Sequence, residues 1–199
     1  MSRKAWFASL LVALFFLGAC AGGAQLTRME MAPGYPKAPL HRVMVLGYLE
    51  QRPNRIRFEN DFVKQFRAHG VQAVTSLAVL PKDKETDKQE IFRQARLQKT
   101  QAVFVGFLIE VESKESATPG YSQPFYRLEP GWGTVGWGVP GYSTEHRTVR
   151  VLTQLYDTRT QKAFWTAETK IMEPKSVGDV LDSLAVEVMS ALKKEGLIN

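Results

Sequence analysis

Five segments between residues 42 and 111 alternate between two kinds of apolar pattern. Compact apolar runs, typical of buried strands, alternate with stretches whose apolar residues recur every three to four positions, as in amphipathic helices. The strand-like runs are residues 42–49 (RVMVLGYL), 71–80 and 101–111. The helix-like stretches are residues 55–69 and the segment that follows Asp87, which is predicted to cap it because Glu90 lies at capping-box spacing. Short links between such elements favour right-handed crossovers, so we expect a sheet core with mainly parallel strands.

The last third of the chain has a different pattern. Residues 148–156 and 163–171 are strand-like and are joined by the turn-rich DTRTQK, which predicts an antiparallel hairpin. Ser176 and Asp179 have capping-box spacing at the start of a final amphipathic helix. We therefore expect an α/β fold, βαβαβ followed by an antiparallel β-hairpin and a C-terminal helix, with a mixed sheet packed against helices. Residues 41–199 are expected to form a single domain.

The amino terminus has the layout of a secretory signal. Arg3 and Lys4 precede an apolar stretch over residues 5–19 that ends in small residues. This stretch has about 15 residues, whereas a helix needs roughly 20 to cross a bilayer. Residues 1–19 are therefore predicted to be a signal peptide, and a permanent transmembrane helix is the weaker interpretation.

Cys20 follows this stretch directly and is the only cysteine in the chain. It has no neighbouring histidine or base that would activate a catalytic thiol, and no second cysteine for an intramolecular disulfide. The motif Leu-Gly-Ala-Cys at residues 17–20 resembles the lipobox of bacterial lipoproteins. The resemblance implies cleavage before Cys20 and a diacylglycerol on its sulfur, with a further acyl chain such as palmitate on its amino group. An incidental cysteine in an ordinary signal peptide is the alternative.

Two acyl chains anchor a protein stably, so this modification would hold the chain at a membrane. Ala21 follows the cysteine, where Asp would resemble the inner-membrane retention signal of Gram-negative lipoproteins. We expect an exported protein anchored in the cell envelope, at the outer membrane and facing the periplasm if the source is Gram-negative. Residues 20–40, with three glycines and three prolines, are predicted to be the lipidated cysteine and a flexible tether.

An unusual segment at residues 118–143 contains six glycines, four prolines and six aromatic residues. Glycine and proline at this density oppose regular structure, and long loops inside a domain are often functional. We consider three roles: a lid over the sheet, a surface that binds a protein, and a surface that contacts glycan or lipid. The possible binding residues are Tyr121, Phe125, Tyr126, Trp132, Trp137 and Tyr142.

The sequence contains no recognisable catalytic or metal-binding motif. The three histidines, His41, His69 and His146, lie at predicted element ends, and no HExxH, CxxC or EF-hand pattern occurs. Glu110, Glu112 and Glu115 alternate as the solvated face of a strand does. We therefore expect no enzymatic activity, no cofactor and no metal. Removal of the signal lowers the formal net charge of +6 by two, and without a basic block nucleic-acid binding is not expected.

The order of elements resembles the α/β domain at the amino terminus of TolB and in lipoproteins of the curli-secretion-channel and penicillin-binding-protein-activator kinds. The lipobox, the opening strand RVMVLGYL and the hairpin LYDTRTQKAFW carry the likeness. Gln161 stands where many such hairpins have glycine. Our leading hypothesis is a non-catalytic envelope lipoprotein, an accessory or assembly component that binds another protein at the outer membrane. The alternative is binding of peptidoglycan or another glycan through residues 118–143.

Overall fold

The computed structural model describes residues 23–81, 87–113, 126–127, 134–135 and 147–199. A six-stranded mixed sheet of order β1-β8-β7-β4-β2-β3 forms its centre, with a separate two-stranded β5-β6 sheet. The strands are β1 Ala24–Met31, β2 Arg42–Tyr48, β3 Gln72–Thr75, β4 Ala102–Ser113, β5 Tyr126–Arg127, β6 Thr134–Val135, β7 Arg147–Asp157 and β8 Ala163–Met172. The helices are α1 Arg52–Ala68, α2 Lys88–Leu97 and α3 Val177–Lys194, with a 3-10 turn at Ser76–Ala78.

The predicted α/β class is confirmed. Strands β2, β3 and β4 are parallel and are joined through α1 and α2, whereas β7 and β8 form the predicted antiparallel hairpin. Along β4, Phe104 faces the core shared with α1 and α3, while Val103 and Val105 face the core shared with α2. Burial of both faces explains why β2 and β4 are continuous apolar runs. Among the described helices, none combines the length and apolar character needed to span a bilayer.

The predicted helix caps are confirmed for two helices. The side chain of Asp87 accepts hydrogen bonds from the backbone N–H groups of Gln89 and Glu90 at the start of α2. Ser176 accepts from the N–H of Asp179 at the start of α3. Gly196 follows the end of α3 with a φ of 72°, a conformation that favours glycine.

The predicted strand at residues 71–80 is too long. Only Gln72–Thr75 forms β3, and the chain then turns into the 3-10 segment at Ser76–Ala78. The turn begins where the hydroxyl of Ser76 and the N–H of Leu77 bind the buried carboxylate of Glu59. Beyond Thr75, these side-chain hydrogen bonds take the place of backbone hydrogen bonds to β2. The apolar pattern of residues 71–80 gives no sign of this change.

The prediction of a flexible tether over residues 20–40 is wrong for most of that segment. Ala24–Met31 forms the edge strand β1, paired antiparallel with β8. A β-bulge between Leu26 and Arg28 shifts the alternation by one residue, so Leu26 and Met29 both pack on the core. Because of the bulge, the apolar residues form two pairs, Ala24 with Leu26 and Met29 with Met31, whose alternation is out of phase. The sequence of β1 therefore lacks the regular alternation that predicts a strand.

The residues that follow β1 are also fixed to the domain. The N–H of Ala32 donates to the carbonyl of Phe164, and the Tyr35 ring stacks on Phe164 with centroids 3.8 Å apart. Farther along, the N–H of Leu40 donates to the carbonyl of Leu197. Between Cys20 and the first strand only residues 21–23 remain as a link.

Candidate functional site

The two ends of the sheet differ in which strands and helices begin there. Strands β2, β3, β4 and β8 finish at the end where β1 and β7 begin, and we call this the carboxyl end. Helices α1, α2 and α3 all start there because each follows one of the finishing strands. The opposite end, where β2, β3 and β4 start and the helices finish, is the amino end. In α/β folds, binding sites occur at the carboxyl ends of parallel strands.

The start of β1 lies in a row of paired residues at the carboxyl end. Ala24 pairs with Ile171, Ile171 with Val149, and Val149 with Val111. Neighbouring strands are about 4.8 Å apart, so three such steps cover roughly 15 Å. Cys20, the predicted lipid attachment site, lies outside the described residues; the link of residues 21–23 leads from it to this row.

The chain that bears the aromatic segment leaves from the same end. Ser113 at the end of β4 pairs with Arg147 at the start of β7, so the segment between them begins and finishes at neighbouring positions. Tyr126 lies in β5 and pairs with Val135 of β6. Strand β6 also lies beside β4, since Cα atoms of the two strands come within 8 Å of each other. The remaining predicted binding residues lie outside the described part of the chain: Tyr121, Phe125, Trp132, Trp137 and Tyr142.

Exposed apolar side chains accompany these features. Met172 at the end of β8 is 39% exposed, and Val177 and Ile56, near the starts of α3 and α1, are 44% and 41% exposed. The two helix starts are close together, since a Cβ atom added to Gly178 would lie 2.5 Å from the Arg57 guanidinium. The described part of the carboxyl end therefore offers an uneven, partly apolar surface.

Beneath this surface lies a buried polar cluster formed by Arg55, Glu59 and Ser76. Glu59 is fully buried, and its Oε1 accepts from the Nε of Arg55 at 2.9 Å and from the hydroxyl of Ser76 at 2.6 Å. The same oxygen accepts from the N–H of Gly47 at 3.2 Å, while Oε2 accepts from the N–H of Leu77 at 3.0 Å. The guanidinium of Arg55 also donates to the Ser76 hydroxyl at 2.9 Å.

This cluster joins three elements. Glu59 connects the end of β2, the first half of α1 and the turn after β3, because each supplies at least one of its donors. The carboxylate accepts three hydrogen bonds at Oε1 and one at Oε2, so it holds the three elements together. These residues were not predicted from the sequence. The available signal was an Arg55–Glu59 pair at i,i+4 spacing on the apolar face of a predicted helix.

Two glycines adjoin the cluster. A Cβ atom at Gly106 of β4 would lie 2.2 Å from the ring of Phe58, and one at Gly47 of β2 would lie 3.0 Å from the same ring. Phe58 packs on Phe62, with ring centroids 4.6 Å apart. The two glycines therefore let α1 approach the centre of the sheet closely.

Among the described residues, the histidines and the carboxylates that alternate along β4 do not form a common site. His41 is exposed before β2, and the Nδ1 of His69 lies 3.0 Å from the carbonyl oxygen of Gln65. Glu110 faces Arg150 at 3.6 Å. His146 and Glu115 lie outside the described residues. Over the described ranges, no three His, Cys, Asp or Glu side chains are grouped as metal ligands would be.

Two titratable groups with shifted pKa values lie at the other end of the hairpin. Burial raises the pKa of Tyr156 to about 12. Burial alone would raise the pKa of Asp157 as well, but hydrogen bonds from the N–H groups of Thr160 and Arg159 outweigh it and hold this pKa below its usual value. The same turn contains Gln161 at a φ of 57°, the left-handed conformation that explains why glycine suits this position.

Comparisons with solved structures return distant matches. Two structures of a PelC dodecamer from Paraburkholderia phytofirmans are 17% identical, cover 85% of this chain and 97% and 96% of that chain, and give TM-scores of 0.49 and 0.48. Lipoprotein GNA1162 from Neisseria meningitidis is 13% identical, covers 77% of this chain and 99% of that chain, and gives a TM-score of 0.38. Protein XCC0632 from Xanthomonas campestris, of family DUF330, is 7% identical, with 85% and 89% covered and a TM-score of 0.34.

No protein-family model matches the chain, and no curated protein sequence does.

Proposed function

We propose that this chain is an envelope lipoprotein without catalytic activity, anchored through Cys20 at the outer membrane, where it binds another envelope protein as an accessory or assembly component. The observation that carries the proposal is the distance in sequence between Cys20 and β1. Only residues 21–23 separate the lipobox cysteine from Ala24. A lipid anchor at this position would act on the folded domain directly.

The length of this link limits how the domain sits at a membrane. Four Cα steps from Cys20 to Ala24 span at most about 14 Å, whereas the predicted 20-residue tether would extend to roughly 65 to 70 Å. A lipidated Cys20 therefore holds the carboxyl end of the sheet against the headgroups. The partly apolar surface around Met172, Val177 and Ile56 suits contact with that layer.

A binding role is favoured over a catalytic one by the state of the polar groups at the carboxyl end. The buried charges that lie where α/β enzymes place their sites, Arg55 and Glu59, bind each other and the backbone. Catalytic groups need lone pairs or protons that a substrate can reach. The cluster stabilises the end of the sheet on which the proposed anchor acts.

The anchor is tested by lipid labelling in cells. Because Cys20 is the only cysteine, a thioether-linked lipid has one possible site. Cells supplied with an alkyne fatty acid should label the wild-type protein and retain it in a carbonate-washed membrane fraction. Cys20→Ser should abolish both results. Equal labelling of Cys20→Ser, or an unlabelled wild-type protein, would contradict the proposal.

The partner is tested by crosslinking of the lipidated protein in cells, followed by purification and mass spectrometry. Reproducible recovery of one envelope protein with the wild type, and its loss with Cys20→Ser, is the expected result. Recovery of murein without any protein would contradict the proposal that the chain binds a protein.

Glycan binding through residues 118–143 is the second candidate. It is favoured by the neighbouring positions of Ser113 and Arg147, since both ends of that segment lie at the end of the sheet nearest the proposed anchor. Aromatic rings bind sugar faces, so Trp132→Ala with Trp137→Ala should reduce sedimentation with purified murein without lowering the melting temperature. Unchanged sedimentation would exclude this candidate.

A further inference from the structure

The amino end of the sheet brings together parts of the chain that are distant in sequence. The N–H of Gln101 donates to the carbonyl of Arg42, and the N–H of Thr158 donates to the carbonyl of Gln101. The guanidinium of Arg96 donates to the carbonyl of Thr158 at 3.3 Å. The last turns of the helices, the starts of the parallel strands and the β7–β8 turn therefore form one continuous surface.

This surface is strongly basic. Two of its carboxylates, the buried Asp157 and the half-buried Glu195, already have basic partners in Arg159 and Lys37, and Glu30 near the end of β1 pairs with Arg28. Bases at helix ends complement the helix dipole, which explains some of the excess, but several bases here lie outside helices. The exposed basic residues are Lys37, Lys64, Arg67, Arg96, Lys99, Arg159, Lys162, Lys193 and Lys194.

A groove of about 410 Å³ lies at one side of the basic surface, along the edge strand β3. Arg42 and Arg67 line it together with Val71, Gln72 and Val74. The Nε of Arg42 is buried and has no hydrogen-bond partner within the described part of the chain.

The backbone of β3 contributes to this groove. The N–H of Gln72 donates toward β2, so the alternation of a parallel strand turns the N–H and carbonyl of Ala73 to the open edge. The guanidinium of Arg67 binds that carbonyl at 2.8 Å. The groove thus combines two guanidinium groups, an outward N–H and the half-buried side chain of Val74.

We propose that this groove binds an acidic, extended segment of a partner protein. The inference rests on the proposed function, and it specifies which surface makes the contact and what the partner presents. Arg42 and Arg67 pair with carboxylates of the segment, and the N–H of Ala73 donates to its backbone. The surrounding lysines raise the rate of association with an acidic partner.

A protein segment fits this groove better than a membrane or a glycan does. The outward N–H of a strand edge matches the spacing of a peptide backbone, and the half-buried Val74 adds an apolar contact. The 11 residues of β7 span about 35 Å from the carboxyl end to the amino end. With the carboxyl end held at the bilayer, the groove faces away from it.

Peptide binding tests the groove directly. The full lipidated protein in neutral detergent micelles is titrated into a fluorescein-labelled octaglutamate peptide, with octaglutamine as the neutral reference. Arg42→Gln with Arg67→Gln should weaken octaglutamate binding at least tenfold. The matched control, Arg147→Gln with Lys175→Gln, removes two exposed bases at the carboxyl end and should change it less than twofold.

Because Arg67 also binds a backbone carbonyl, Lys193→Glu with Lys194→Glu provides a second pair without such a bond. It should weaken binding by several fold while the circular dichroism spectrum stays unchanged. Equal losses from the two glutamine pairs would overturn the inference, as would binding of hexagalacturonate in preference to octaglutamate.

Photo-crosslinking in cells separates this inference from the proposed function. A photoreactive amino acid replaces the exposed Gln72 beside the groove or, as the control, the exposed Gln25 on β1. Capture from position 72 of a protein whose crosslinked segment is acidic supports the inference, and capture of a segment without acidic residues overturns it. Capture from position 25 alone overturns it and leaves the proposed function intact, whereas capture from neither position counts against both.

Discussion

Removal of the Glu59 carboxylate is expected to destabilise the protein severely. In Glu59→Ala, the Arg55 guanidinium, the Ser76 hydroxyl and the N–H groups of Gly47 and Leu77 lose their shared acceptor while remaining buried. Breaking a buried ion pair by removing one partner costs about 3–5 kcal/mol. Domains of this size unfold with a free energy of about 5–15 kcal/mol, so a large part of the stability is lost.

Urea unfolding followed by far-ultraviolet circular dichroism measures this change. Asp61→Ala is the matched control, because Arg57 and Asp61 form a pair of the same i,i+4 spacing on the same helix, 3.5 Å apart, with side chains that are 51% and 36% exposed. Asp61→Ala should lower the free energy of unfolding by less than about 0.5 kcal/mol. Replacing both buried partners, in Arg55→Met with Glu59→Leu, should recover part of the loss. Equal costs for Glu59→Ala and Asp61→Ala would refute the structural role of the cluster.

Three further predictions concern single positions. Gly106→Ala should lower the free energy of unfolding by about 2 kcal/mol in urea titrations, since its Cβ would lie 2.2 Å from the ring of Phe58. Gln161→Gly should raise the melting temperature and add about 0.5–1 kcal/mol to the free energy of unfolding, because relief of the left-handed φ of 57° outweighs the greater freedom of glycine in the unfolded chain. Folding lowers the pKa of Asp157, so the wild type should lose stability as the pH falls below about 5. In urea titrations at pH 7 and pH 3, the free energy of unfolding of Asp157→Asn should fall less between the two pH values than that of the wild type.

The elements with a simple period could be predicted from the sequence. The buried strands β2 and β4, the hairpin β7–β8 and the final helix follow from compact apolar runs or three-to-four spacing. The caps at Asp87 and Ser176 were also identifiable, because capping depends on residues only a few positions apart. These features are local, so the sequence contains the whole signal.

Features that depend on distant contacts could not be predicted in the same way. The edge strand β1 resembles a linker in sequence because its bulge breaks the alternation between Leu26 and Met29, and its partner β8 is more than 130 residues away. Likewise, β3 ends early because Glu59 binds the chain at Ser76 and Leu77. The groove at the amino end was missed because Arg42 and Arg67 meet only in the folded chain.

The position of the domain relative to the membrane tests the central claim most directly. Cys20 is the only cysteine, so once it is lipidated, Lys175→Cys at the carboxyl end and Lys194→Cys at the amino end each offer a single thiol for a fluorophore. Energy transfer to acceptor headgroups in vesicles should place position 175 about 27 Å closer to the bilayer than position 194, because the 18 residues of α3 that separate them rise about 1.5 Å each. A 15-residue Gly-Ser insertion after residue 22 should remove most of this difference. Equal transfer from both positions without the insertion would contradict a short link between anchor and fold.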